Sequence, residues 1–113
     1  MTPERFIRIV QDAMTRSLIV LEHKAKEYSW DGDRLSNFKK AGALQGCAPE
    51  AALLGMLVKH WVSICEMVQD LGQGKHWPQE VWQEKLGDNI NYSYLLEALL
   101  EERYGWDQTE EET

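Results

Sequence analysis

Apolar residues recur at three- and four-residue steps across the start of the chain: Ile7, Val10, Met14, Leu18, Leu21, Ala25 and Tyr28. A period near 3.6 lays such residues down as one stripe along a helix, whereas a half-buried strand needs alternation at every second position. The spacing predicts a helix of about seven turns with one face buried. Thr2-Pro3-Glu4 marks its start with an N-cap hydroxyl, a proline at the first helical position and an acid in the first turn.

The rest of the chain repeats this pattern. Ser29-Trp30-Asp31-Gly32-Asp33 breaks the first helix, and a shorter one with Leu35, Phe38, Ala41 and Leu44 runs to Gly46, with Asp33 as its N-cap. Pro49-Glu50 opens a third, whose inner stripe is Leu54, Leu57, Trp61, Ile64, Val68 and Leu71 and which stops at Gly72 and Gly74. Leu53, Met56, His60 and Met67 widen that stripe on one flank, an apolar excess that predicts a second packing surface and a homo-oligomer. Pro78 opens a last helix that continues through Leu95, Leu96, Leu99 and Leu100 to Tyr104-Gly105. With no internal repeat and no long linker, the expected fold is all-α. It is a small helical bundle of three long helices and one short helix, a single domain over residues 1–106 with an acidic, flexible tail at 107–113.

Composition narrows the function classes. A chain of 113 residues, 43% of them hydrophobic, suffices for one core. Its net charge of −7 includes four acids in the tail, leaving twelve basic against fifteen acidic residues in the body. An acidic body without a Lys/Arg-rich run argues against DNA or RNA, whose binding depends on neutralising many phosphates. A small phosphorylated ligand needs only two or three well-placed cations. The longest apolar run is Ala51 to Val58 and the amino terminus lacks signal-peptide order, so no membrane association is expected and the chain reads as cytoplasmic. Cys47 and Cys65 lack paired spacing and read as reduced, buried packing thiols.

Polar residues on helix faces that should be buried point to a site. Asp88 and Tyr92 lie on the same stripe as Val81, Leu95 and Leu99, and an inward carboxylate costs several kcal/mol unless it is paired. On the first helix Ser17 and Lys24 fall beside the Leu21 stripe. Lys24 and Asp88 then form either a buried ion pair or two walls of a ligand site. The segment from Glu27 to Lys40 adds Tyr28, Trp30, Arg34, Asn37, Phe38 and Lys39, rings and cations able to stack a base and hold a phosphate. Asp31-Gly32-Asp33 lacks the remaining ligands of a calcium loop. His60, at the edge of an apolar face, reads as a hydrogen-bonded boundary residue or a ligand contact, and Lys59 points to the opposite side. His23 and His76 have no partner at zinc spacing. Trp61 and Trp82 read as core or interface, while Trp30 and Trp77 lie in expected loops. No nucleophile constellation or Gly-rich phosphate loop is present.

The order Lys24-x-x-Glu27-Tyr28, Asn37-Phe38, Lys59-His60-x-x-Ser63-Ile64 and Glu84-Lys85-Leu86-x-Asp88-x-x-Asn91-Tyr92 resembles small helical proteins of bacteriophages and prophages. Those proteins are similar to the nucleotide-modification-associated family and, more distantly, to the all-α NTP pyrophosphohydrolases of MazG type. The resemblance spans residues 20 to 103. It implies an oligomeric helical bundle that handles nucleotides, in the host bacterial cytoplasm where the chain is phage-encoded.

The chain departs from the enzyme pattern. MazG-like enzymes bind magnesium through an E-x-x-E helix followed by an E-x-x-D helix, because two metals neutralise a triphosphate while water attacks. Here Glu84 and Asp88 offer an i, i+4 pair, but Lys59, His60 and Ser63 stand where the preceding acids belong. The favoured expectation is a nucleotide-binding protein without turnover and without a cofactor. It would sequester a signalling nucleotide to counter host defence, through Lys24, Tyr28, Trp30, Arg34, Asn37, Lys39, Lys59, His60, Asp88, Asn91 and Tyr92. One alternative is a magnesium-dependent pyrophosphohydrolase with Glu84 and Asp88 catalytic and Glu27, Glu84 and Asp88 as metal ligands. Another is a helical oligomer that binds a protein.

Overall fold

The computed structural model describes residues 1–28 and 31–109, and the described residues form helices joined by short turns, with no strand. The order is α1 (Pro3–Tyr28), α2 (Ser36–Gln45), α3 (Pro49–Gly72), α4 (Gln79–Tyr104) and α5 (Trp106–Thr109). This is the expected all-α bundle of three long helices and one short helix, with one extra helical turn at the end. That turn lies partly in the segment read as an unstructured tail, and the stacking of Trp106 on Tyr104, with ring centroids 4.9 Å apart, holds it there.

Local chemistry sets the helix ends. The Thr2 hydroxyl accepts the Arg5 N–H at 3.1 Å, the expected cap of α1. Gly46 and Gly105 close α2 and α4 in the left-handed conformation that glycine adopts without strain. Asp33 caps the turn ahead of α2, its carboxylate accepting the Leu35 N–H at 3.0 Å and its carbonyl the Ser36 N–H at 3.1 Å, so the helix proper begins three residues later than Asp33. Gly42 sits where the chain folds back from α2 into α3. A Cβ there would lie 2.7 Å from the Cys47 carbonyl oxygen.

The core lies where α2, α3 and α4 meet: Leu35, Phe38, Leu53 and Leu99, flanked by Met56, Tyr92, Leu95 and Leu96. Glu50 near the start of α3 accepts two hydrogen bonds from the Arg103 guanidinium near the end of α4, at 2.7 and 2.8 Å, so the two helices run antiparallel. That fork holds the Glu50 carboxyl below the usual carboxylate range. Between α3 and α4, the Trp77 indole N–H donates to Asp70 at 2.8 Å while Lys75 sits over its ring, which accounts for a tryptophan in a loop.

Three expectations about burial are corrected. α3 is rotated from the predicted register: Leu53 and Met67, of the flank read as a second packing surface, are buried with Met56 and His60 beside them, and of the predicted inner stripe Ile64 is buried while Leu54, Trp61 and Val68 are each more than half exposed. Both faces of α3 are apolar, and the flank that carries His60 packs inward, with His60 Nδ1 3.7 Å from Asp88 Oδ2. α1 does not bury its stripe, since Ile7, Met14 and Leu18 are exposed and, among its described side chains, Ser17 alone is buried. Leu44, Cys47 and Cys65 are likewise exposed rather than packed inside. By length and composition α3, with a mean hydropathy of 1.4 over its most apolar window, is long and apolar enough to cross a membrane.

Candidate functional site

The turn into α2 is built to hold its side chains in place. The Ser36 hydroxyl donates to Asp31 at 2.5 Å, the Asp33 N–H donates to the same carboxylate at 3.2 Å, and Lys40 lies 3.5 Å away. The Ser36 hydroxyl first, then the Asp33 N–H, holds the Asp31 carboxyl below its ordinary range. Lys39 bonds Asp33 at 2.7 Å and Glu102 of α4 at 2.5 Å, which lowers Asp33 and raises Lys39. This network pins the loop to α4 and fixes the stretch carrying Arg34, Asn37 and Phe38.

Those three residues face a cavity of about 260 Å³ between α1, α2, α3 and α4. Lys24 of α1 and Arg34 stand on its wall, and among the described residues neither is held in an ion pair. Phe38, Tyr92 and His60 form an aromatic side. Tyr92 meets Phe38 edge-on at 6.4 Å between centroids and lies 4.9 Å from the His60 ring. Asp88 and Asn91 of α4 supply acceptors. His60 Nδ1 stands 3.7 Å from Asp88 Oδ2, beyond hydrogen-bond range and within reach of an ion pair when the imidazole is protonated. Val20, Leu21, Met56 and Leu95 complete an apolar lining.

Asn91 is the buried polar residue at the heart of this site. It is 7% exposed, and its Oδ1 has no hydrogen-bond partner among the described residues. A buried acceptor left unpaired costs about 1–3 kcal/mol.

The cavity thus gathers Lys24, Arg34, Asn37, His60, Asp88, Asn91 and Tyr92 of the predicted set. Lys39 is spent on Asp33 and Glu102, and Lys59 is exposed and lies off the cavity. Trp30 lies outside the described residues, and of Tyr28 only the backbone is described. Lys24 and Asp88 share the cavity but do not form the predicted buried ion pair, since Lys24 is exposed and the side chain nearest Asp88 at ion-pair range is His60. Of the apolar lining residues, helical spacing assigns Leu21 and Leu95 to buried stripes and Met56 to a packing flank, and it does not single out Val20.

The acids proposed to hold magnesium do not assemble. Glu27 pairs with His23 at 3.2 Å on the exposed side of α1, and Glu84 faces a neighbouring groove that Asp88 also touches. Among the described residues no group of three His, Cys, Asp or Glu side chains converges where a metal ion could sit. The residues present therefore do not fit the two-metal cage that a triphosphate hydrolase needs. No family model matches the chain, and no curated protein or solved structure is significantly similar to it.

Proposed function

We propose that the protein binds a nucleotide and holds it without turnover. The observation that carries this reading is the cavity itself, where two cations with no ion pair among the described residues, an aromatic side and the Asn91 side chain line one space of about 260 Å³. A phosphate needs cations that are not already neutralised, and Lys24 and Arg34 meet that condition where Lys39 does not. A base needs a flat apolar neighbour and an edge to hydrogen-bond, which the Phe38–Tyr92–His60 group and Asn91 with Asp88 supply. The volume lies near the lower end for small-molecule sites and suits one nucleotide unit. In the phage setting that the sequence resembles, retention of a signalling nucleotide would lower its free concentration and blunt a host defence. Retention over hydrolysis is supported by the acids: Glu27 lies with His23 on the exposed side of α1, away from the groove that Glu84 and Asp88 share, so the three do not converge.

The test is a panel of linear and cyclic nucleotides incubated with the purified protein, with and without Mg²⁺, then filtered. A nucleotide lost from the filtrate and recovered intact after heating supports retention. New products that depend on Mg²⁺ would overturn it in favour of hydrolysis, and an unchanged panel would remove the nucleotide reading altogether.

A further inference from the structure

The chain exposes more surface than a compact protein of its size. Its accessible area is 8398 Å², whereas a folded monomer of 13.1 kDa exposes roughly 6,400 Å². Its radius of gyration is 16.9 Å, against about 13 Å for a compact domain of this length. Among the described residues, Leu53 is the one large side chain that is completely buried. The excess is apolar in two places. On α3, Leu54, Val58, Trp61, Val62 and Val68 are 48–54% exposed along one face. On α1, every residue through Asp12 is exposed, and beyond it Met14 and Leu18 overhang a groove closed by Tyr94 of α4.

We propose that a second copy of this chain covers the outward face of α3 and the exposed flanks of α1, so that the folded unit is at least a dimer. The excess of roughly 2,000 Å² per chain matches what each protomer of an obligate homodimer removes from water. Charge points to the same occupant. α1 carries five basic and four acidic side chains, and α3 with α4 three and nine, so α1 of one copy is drawn to the acidic α3–α4 half of another. The same net charge of −7 opposes an anionic lipid surface, the other apolar solvent such faces could meet. This assembly does not depend on the nucleotide reading.

Sedimentation equilibrium of the full chain at micromolar concentration tests it, joined to thiol labelling. Cys65 lies one turn beyond Trp61 on the outward face of α3, while Cys47 sits in the α2–α3 turn, and both are exposed in the single chain. The expected result is a mass of at least twice 13.1 kDa, with Cys65 labelled at least about tenfold more slowly than Cys47 by a maleimide until dilution or Trp61→Glu with Met14→Glu releases it. Where that double variant fails to fold, labelling of the unaltered chain still decides. A helical monomer at tens of micromolar, flotation with phosphatidylcholine vesicles in place of self-association, or equal labelling of the two thiols in the oligomer overturns the proposal.

Discussion

The junction of α2, α3 and α4 and the amino-terminal half of α1 are both rich in large apolar side chains, yet only the first buries them. At the junction, Leu35, Phe38, Leu53 and Leu99 close on one another, and Glu50–Arg103 and Lys39–Glu102 tie the helices at their ends. On α1, Phe6, Ile7, Ile9 and Val10 stand in solvent within the single chain. Apolar content in a helix therefore does not say what it packs against. In this molecule it marks an internal core at one end and an exposed apolar surface at the other.

Paired substitutions on α3 probe that contrast most strongly. Leu53→Ala removes the one completely buried large side chain among the described residues and is expected to cost about 2–5 kcal/mol in urea unfolding. Leu54→Ala, one residue on and 53% exposed, should change the stability of the dilute single chain by within about 0.5 kcal/mol. If it costs more at high protein concentration only, the outward face of α3 is part of an assembly. Equal costs for both at every concentration would break the distinction.

A second pair sets the cavity against the opposite surface. Lys24→Ala and Arg34→Ala each lose a charged partner for phosphate and should weaken nucleotide binding by about tenfold or more, measured by calorimetry with the helical signal unchanged. Lys59→Ala, exposed and off the cavity, is expected to leave affinity within about twofold.

The smallest effect expected is on acid stability. Asp31, Asp33 and Glu50 have carboxyl groups lowered in the fold by Ser36, Lys39 and Arg103 respectively. Groups with depressed folded values stabilise above their unfolded values and lose that contribution as pH falls through the folded ones. A modest fall in thermal midpoint is therefore expected below about pH 4. The combined Asp31→Asn and Asp33→Asn variant should flatten it, and an unaltered acid slope in that variant would place the titration elsewhere.

Much of the fold was legible in the residues. Thr2, Gly46, Pro49, Pro78 and Gly105 each mark a helix end by short-range backbone chemistry, and each end falls within a residue or two of where that chemistry placed it. The candidate site was legible in part, because Asp88, Asn91 and Tyr92 break an apolar stripe and Lys24 breaks another. Their partners were not, since His60 sits twenty-eight residues before Asp88 and no local rule brings the two together.

Sequence by itself determined that the chain is helical, where each helix starts and stops, and which polar residues lie on apolar faces, because caps and periodicity act within a turn or two of the backbone. The tertiary structure alone decided the rotation of α3, the neutralisation of Lys39, the freedom of Lys24 and Arg34, and the exposure of α1. A helix apolar on both sides has no preferred inward face until a neighbour arrives, and whether a charge is paired depends on side chains brought in from distant positions.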